Sequence, residues 1–304
     1  MEIKNCQTLQ EGDYPLLLQY SKYSPKQLYA IGTLPAPTKG DDEKSPVGIA
    51  MVGTRRPSNN AKELCRRLVN SLKGTRAIVV SGLAQGIDSL CHEAAIEAGI
   101  PTIAVLGQGV LTRIEGSRGE LARRIIESGG AIISEFEPDY PAFKGNFPAR
   151  NRIITGLCAA TIIVQSKAKG GALITGELCR NEGKPLYAIP GDFDSEVAVG
   201  PNQLLDQGLA KPVFMPESLA QVLRLPKKSE KAIRATQTLG MSLSPKALKL
   251  FSDSNGFRKT FTELQSEFDD STSELLAILT ELEIAGLVHT DDNFLFYFNG
   301  NLEC

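Results

Sequence analysis

Six short apolar runs rich in β-branched residues, each but the last followed by a helix-like stretch, dominate the middle of the chain. They read VGIAMVG (47–53), AIVVSG (77–82), TIAVLG (102–107), AIISE (131–135), TIIVQS (161–166) and PLYAIP (185–190). Helical periodicity covers 58–73, 87–98, 117–128, 148–158 and 173–182 between them. A strand that feeds a helix and then another strand needs a crossover, and repeated crossovers build a mostly parallel sheet. Strands that are apolar almost throughout belong to a sheet with helices on both faces. The pattern predicts an α/β fold with a doubly wound, mostly parallel sheet.

The flanks differ. Residues 1–40 hold two packing segments, YPLLLQY (14–20) and SPKQLYAIGTL (24–34), and are expected to pack as an N-terminal extension on a core spanning 41–223. Residues 224–244 have few large apolar side chains and read as a linker. Three amphipathic helices follow, near 245–253, 260–268 and 271–286. Two short strands around Asp291-Asp292-Asn293 complete a winged-helix plan for 245–304.

Several function classes are disfavoured by composition. No apolar run approaches membrane-spanning length, and the N-terminus lacks the order of a signal peptide, so a cytoplasmic protein with no membrane partner is expected. Six scattered cysteines form no C-x-x-C pair, and free thiols are the plain reading. Two histidines, His92 and His289, are too few for a His-rich metal site and leave little room for a Ser-His-Asp triad. The formal net charge is −2, yet it is unevenly spread. Residues 53–87 carry seven basic side chains against one acid, and 140–176 carry five against none. Residues 243–298 carry four against ten. A phosphate-binding surface therefore belongs to the middle of the chain.

The motifs fall at the carboxyl ends of the strands, where open α/β sheets bind ligands. In VGTRRPS (52–58), Gly53 and Thr54 end a strand, Arg55 offers a planar fork for phosphate oxygens, and Ser58 is placed to cap the next helix. The alternative for Arg55 is a surface side chain closing the turn. In VVSGLAQGIDSLCHEAA (79–95), Gly82 and Gly86 let backbone approach a ligand, with free N–H groups of the next helix facing it. No Lys-Ser/Thr follows, so this is no nucleotide P-loop. Asp88 serves the helix dipole or binds a hydroxyl, and His92 packs within its helix. In FKGNFPARNRIITG (143–156), Lys144, Arg150 and Arg152 are interleaved with Phe143 and Phe147, as suits the phosphates and base faces of a single strand. The alternatives are a core Phe147, arginines bracing loops, and Asn151 as a cap rather than a base contact. SKAKGGALITGELC (166–179) repeats the strand–Gly–helix plan with Gly170, Gly171 and Thr175, an anion cradle without a nucleophile.

Taken in order, VGTRRPS, VVSGLAQGID, TIAVLGQGV, IISE, FPARNRIITGL, GGALIT and AIPGD…GPNQLL resemble the DprA (Smf) DNA-processing family, from about Tyr14 to Leu209. The resemblance implies a Rossmann-like core, a homodimer, binding of single-stranded DNA, and loading of a RecA-type recombinase during natural transformation. It implies no cofactor. Arg55, Gly82, Gly86, Asp88, Lys144, Arg150, Asn151, Arg152 and Gly171 match the family's pattern around the DNA pocket. The chain departs from that pattern in VLTRIEGSRGEL after Gly109, in Gln165 where Glu is usual, and in Gly170-Gly171-Ala172. The leading expectation is a non-enzymatic single-strand binder whose acidic winged helix contacts protein, or regulates the basic core in cis, rather than binding duplex DNA. The rival is a nucleotide sensor, or a phosphoribohydrolase of the LOG type, using the Gly171–Glu177 turn.

Overall fold

The computed structural model describes residues 6–34, 46–225, 244–254, 258–267, 271–284, 287–290 and 295–298. Contacts divide the chain into two units, Met1–Pro226 and Lys227–Cys304.

All six sequence-predicted strands are present in the first unit: β3 (Val47–Val52), β4 (Ala77–Ser81), β5 (Thr102–Val105), β6 (Ala131–Ser134), β7 (Ala160–Ile163) and β8 (Leu186–Ala188). They pair in parallel in the order β6-β5-β4-β3-β7-β8. From β3 the chain winds outward to β6, then crosses back to β7. The order thus reverses between β3 and β7, and the loops leaving these neighbours diverge and open a crevice.

Period-two alternation sends β3 residues to two cores. Ile49 and Met51 pack with Ala61, Cys65 and Leu68 of α2 (Ala61–Asn70) and with Ile87 and Cys91 of α3 (Ile87–Ala98). Ala50 and Val52 face the other side, with Ile153 and Ile154 of α5 (Asn146–Gly156) and Ala172 and Cys179 of α6 (Gly171–Asn181). Leu121, Ala122 and Ile125 of α4 (Ser117–Glu127) close a third cluster over β5 and β6. Helices therefore cover both faces, and the mixed α/β, mostly parallel sheet predicted from the sequence is found.

Residues 6–34 do more than pack on this core. β1 (Gln7–Leu9) and β2 (Leu28–Gly32) extend the same sheet, β2 running antiparallel to β6 with Tyr29 opposite Ser134. An antiparallel edge strand needs no crossover helix, so no periodic signal announces it. Tyr14, Leu18 and Leu28 are fully buried in the α5–α6 core.

The second unit has helices at Pro245–Ser254, Phe261–Glu267 and Thr272–Ile284, and a three-stranded antiparallel sheet from Arg258–Thr260, Val288–Thr290 and Leu295–Phe298. Ser244 Oγ accepts the Ala247 N–H, and Thr260 and Glu263 cap each other reciprocally. Leu250, Leu264, Leu275, Ile278 and Phe296 form its own core. Most of the expected linker, and the Asp291-Asp292-Asn293 turn, lie outside the described residues.

If residues 6–34 are integral to the first unit, Leu28→Ala should destabilise that unit by about 2–5 kcal/mol. Urea unfolding read on the full chain checks this, and an unchanged midpoint would make the segment a dispensable extension.

Candidate nucleic-acid interface

A cavity of about 400 Å³ sits at the β3/β7 reversal. Among the residues lining it are Gly53, Thr54, Arg55, Asp88, Lys144, Phe147, Arg150, Asn151, Gly170, Gly171 and Thr175. Eleven of the fifteen residues expected from sequence therefore meet in one place, drawn from four separate segments.

The β3 and β7 ends are laced together. Thr54 N–H donates to Gln165 O at 2.7 Å. The Gln165 side chain accepts the Ser58 N–H at 3.0 Å and donates from Nε2 to Ser58 Oγ at 2.6 Å. An amide can accept and donate at once, which a carboxylate in its place cannot do. Ser58 was expected to cap α2. That helix instead begins at Ala61 without a side-chain cap, because Ser58 is engaged by Gln165 and Asn60.

The β4–α3 turn is braced by protein contacts on one side and borders the cavity on the other. Ile87 N–H donates to Thr54 O and Ser89 N–H to Ala84 O, so two of the three amides opening α3 are already taken. Gly86 has φ +92° and lies against the Thr54–Arg55 backbone, where a side chain would collide. Gly82 has no room for a Cβ because the Arg150 guanidinium fills that space. Gly86 thus lets chain approach chain, while Gly82 makes room for Arg150 and also lines a second, smaller cavity. The open helix terminus is that of α6. Gly170 precedes it with extended backbone and no side-chain cap, and the N–H groups of Gly171 and Ala172 find no acceptor among the described residues. Such amides, at the positive end of an eleven-residue helix, suit an anion.

Arg150 is 4% exposed. It donates to the carbonyls of Gly82, at 2.7 Å, and Val105, and its Nε donates to Asn151 Oδ1 at 2.9 Å. Asp88, also buried, accepts the Gly82 N–H at 3.1 Å and lies 3.9 Å from the guanidinium. Burial pulls the Arg150 pKa down to about 10, with Asp88 opposing the shift and Arg55 adding to it. The group stays charged at neutral pH, so it braces the strand ends and contributes positive potential. Burial pushes the Asp88 carboxyl up, offset by Arg150 and by bonds from the β4–α3 turn.

The remaining cations sort by whether they have partners. Arg152 is not among the lining residues. It bonds the Tyr23 carbonyl and the Glu135 carboxylate, tying the N-terminal segment and β6 to α5. Lys167 pairs with Glu196. Arg55, Lys144 and Lys169 line the cavity with no acceptor among the described residues, and Arg55 lies 5.7 Å over the Phe147 ring. Phe147 is half-buried at the cavity wall rather than in the core. Lys169, Ala84 and Ile174 also line the cavity and were not singled out from sequence.

His92 is fully buried, with Nδ1 2.7 Å from Thr102 Oγ1. Thr102 gives its own proton to the Val79 carbonyl, so His92 carries hydrogen on Nδ1 and remains neutral. Burial, followed by Arg150, lowers its pKa from 6.5 to about 3. It takes no part in chemistry at the cavity.

Two outcomes follow. Gly82→Ala must displace the buried Arg150 guanidinium and should cost about 1–3 kcal/mol in urea unfolding, as overpacking does. Below pH 6.5 the unfolded chain protonates His92 while the folded one does not, so stability should fall with acidification until about pH 3. The slope due to this residue is about 1.4 kcal/mol per pH unit. The difference between wild type and His92→Gln across that range reads it, and parallel curves would refute it.

Comparison with known proteins identifies the family. A family model described as DNA recombination-mediator protein A matches residues 5–224. Protein Smf of Escherichia coli is 33% identical over 219 residues, which is 71% of this chain and 58% of that protein. The DNA processing protein DprA of Bacillus subtilis is also 33% identical, over 72% of this chain and 71% of its own length. The X-ray structure of DprA from Streptococcus pneumoniae superposes with a TM-score of 0.62 at 33% identity, covering 72% of this chain and 75% of that one. A structure describing the single-stranded DNA binding mode of DNA processing protein A from Helicobacter pylori also gives 0.62, at 30% identity, over 73% of this chain and 98% of that one. The chain belongs to the DprA/Smf family of DNA-processing, recombination-mediator proteins.

Proposed function

We propose that this protein binds single-stranded DNA along the crevice at the β3/β7 reversal and acts as a recombination mediator without enzymatic chemistry. One observation carries the reading. Arg55, Lys144 and Lys169 surround the cavity without protein acceptors, beside the uncapped α6 terminus and the Arg55–Phe147 pair. Cations left unpaired, with an aromatic face among them, suit phosphates and bases together. The single-strand binding described for the Helicobacter pylori relative supports it.

The lining offers no nucleophile with a neighbouring base. Glu177, the carboxylate a LOG-type reaction would need, is exposed and absent from the lining, while Asp88 is buried and bonded. The non-enzymatic reading is therefore preferred. Family membership supports a homodimer that loads a RecA-type recombinase onto the strand. The second unit is proposed to be a winged helix that contacts protein. Its Thr272–Ile284 helix carries Glu274, Glu281 and Glu283 and no Lys or Arg, which is unsuited to reading a DNA groove. Five free cysteines among the described residues fit a reducing cytoplasm. Among the described residues no helix is long and apolar enough to cross a membrane.

Fluorescence anisotropy of labelled oligo-dT across salt tests the proposal. Affinity should fall steeply with salt, by about 0.7 in log–log slope per phosphate held. Arg55→Ala and Lys144→Ala should each weaken binding roughly tenfold, about 1.4 kcal/mol. A folded protein that ignores oligo-dT at low salt but takes up a mononucleotide would favour the sensor reading.

A further inference from the structure

We infer that the strand does not end in the main crevice but continues past the Arg55–Phe147 pair into a second cavity, where Arg118 holds its phosphate. This rests on the single-strand reading above. The second cavity, about 270 Å³, shares Arg55, Ala84, Phe147 and Arg150 with the first and adds Gly82, Gln85 and Arg118. The two hollows are thus separated by one cation–aromatic pair, with the ring available to both sides. A polymer that alternates charged linkers with flat bases fits that sequence of surfaces.

Arg118 is placed at a local cost. It stands in the first turn of α4, where the helix dipole disfavours a positive charge. The carboxylate nearest in sequence within that turn, Glu120, is held by Arg123, which also pairs with Glu127. Arg118 itself is exposed and finds no acceptor among the described residues. A bound phosphate would satisfy both the guanidinium and the dipole. The opposite wall is unusually fixed. Leu83 has φ +54°, a left-handed conformation that a leucine rarely adopts, and its side chain is anchored at 2% exposure in the core over β5 and β6. That anchor, with Arg150 on the Gly82 carbonyl, presents Gln85 to the cavity.

The test uses the full chain and labelled oligo-dT of about 4 and about 16 nucleotides, the ends of the range a single module covers. Arg118→Ala should leave the short oligomer's affinity unchanged, weaken the long one at least about fivefold, and lower its salt slope by about 0.7. Arg123→Ala, which removes a paired cation from the same helix, should change neither. If the wild type binds both oligomers and Arg118→Ala matches it at both lengths, the second cavity is not part of the path. Equal weakening at both lengths, or equal weakening by Arg123→Ala, would show a diffuse field and overturn the inference as well. A wild type that binds neither oligomer refutes the single-strand reading itself, and this inference with it.

Discussion

One cation taken out of water organises the binding face. The Arg150 guanidinium reaches from α5 to the ends of β4 and β5, and Gly82 is gripped at both its peptide groups, its carbonyl by Arg150 and its N–H by Asp88. Desolvating an ion pair is costly, so such a pair contributes more to a defined geometry than to raw stability. Here the geometry is that of the β4 and β5 ends relative to α3 and α5. Gly82 itself is explained by the same contact, since any larger residue would compete with the guanidinium for one volume.

Much of the fold was legible because it rests on periodicity. Burial on both faces makes each central strand an apolar run, and each crossover helix shows its own 3.6-residue rhythm, so the six parallel strands could be placed from residues alone. β2 escaped because its partner, β6, lies far away in the chain and pairs antiparallel, a relation that leaves no local trace. At the site, the residue types were legible and their partners were not. Arg55 and Arg150 look alike in sequence. The fold leaves one unpaired at the cavity and buries the other among carbonyls. Arg152 was read as a third DNA contact, yet Glu135 and the Tyr23 carbonyl claim it. Both the turn after Gly82 and the Gly170-Gly171 turn looked like anion cradles, and α6 keeps two adjacent amides open, whereas Thr54 and Ala84 accept those of Ile87 and Ser89 in α3.

The partnering of charges also clarifies why a chain of net charge −2 can present a basic surface. Arg66, Arg67 and Arg123 are spent on exposed glutamates and add little field beyond their own surroundings. One acid of the second unit is committed in the same way, Glu274 to Lys246. Arg55, Lys144 and Lys169 at the strand ends have no ion-pair partner among the described residues, so the local field there is set by them rather than by the total.

The lacing of β3 to β7 has a temporal consequence. Ser58 and Gln165 are 107 positions apart, and the open terminus of α6 comes later still. During synthesis the basic Arg55 turn leaves the ribosome long before the residues that complete the crevice around it. Contacts this distant in sequence form late, after the loop between them has closed. A nascent chain therefore exposes a cationic turn before its crevice exists, and the proposed affinity for a polyanion would arrive only with the closing of the sheet. Binding competence is in that sense a certificate of finished folding.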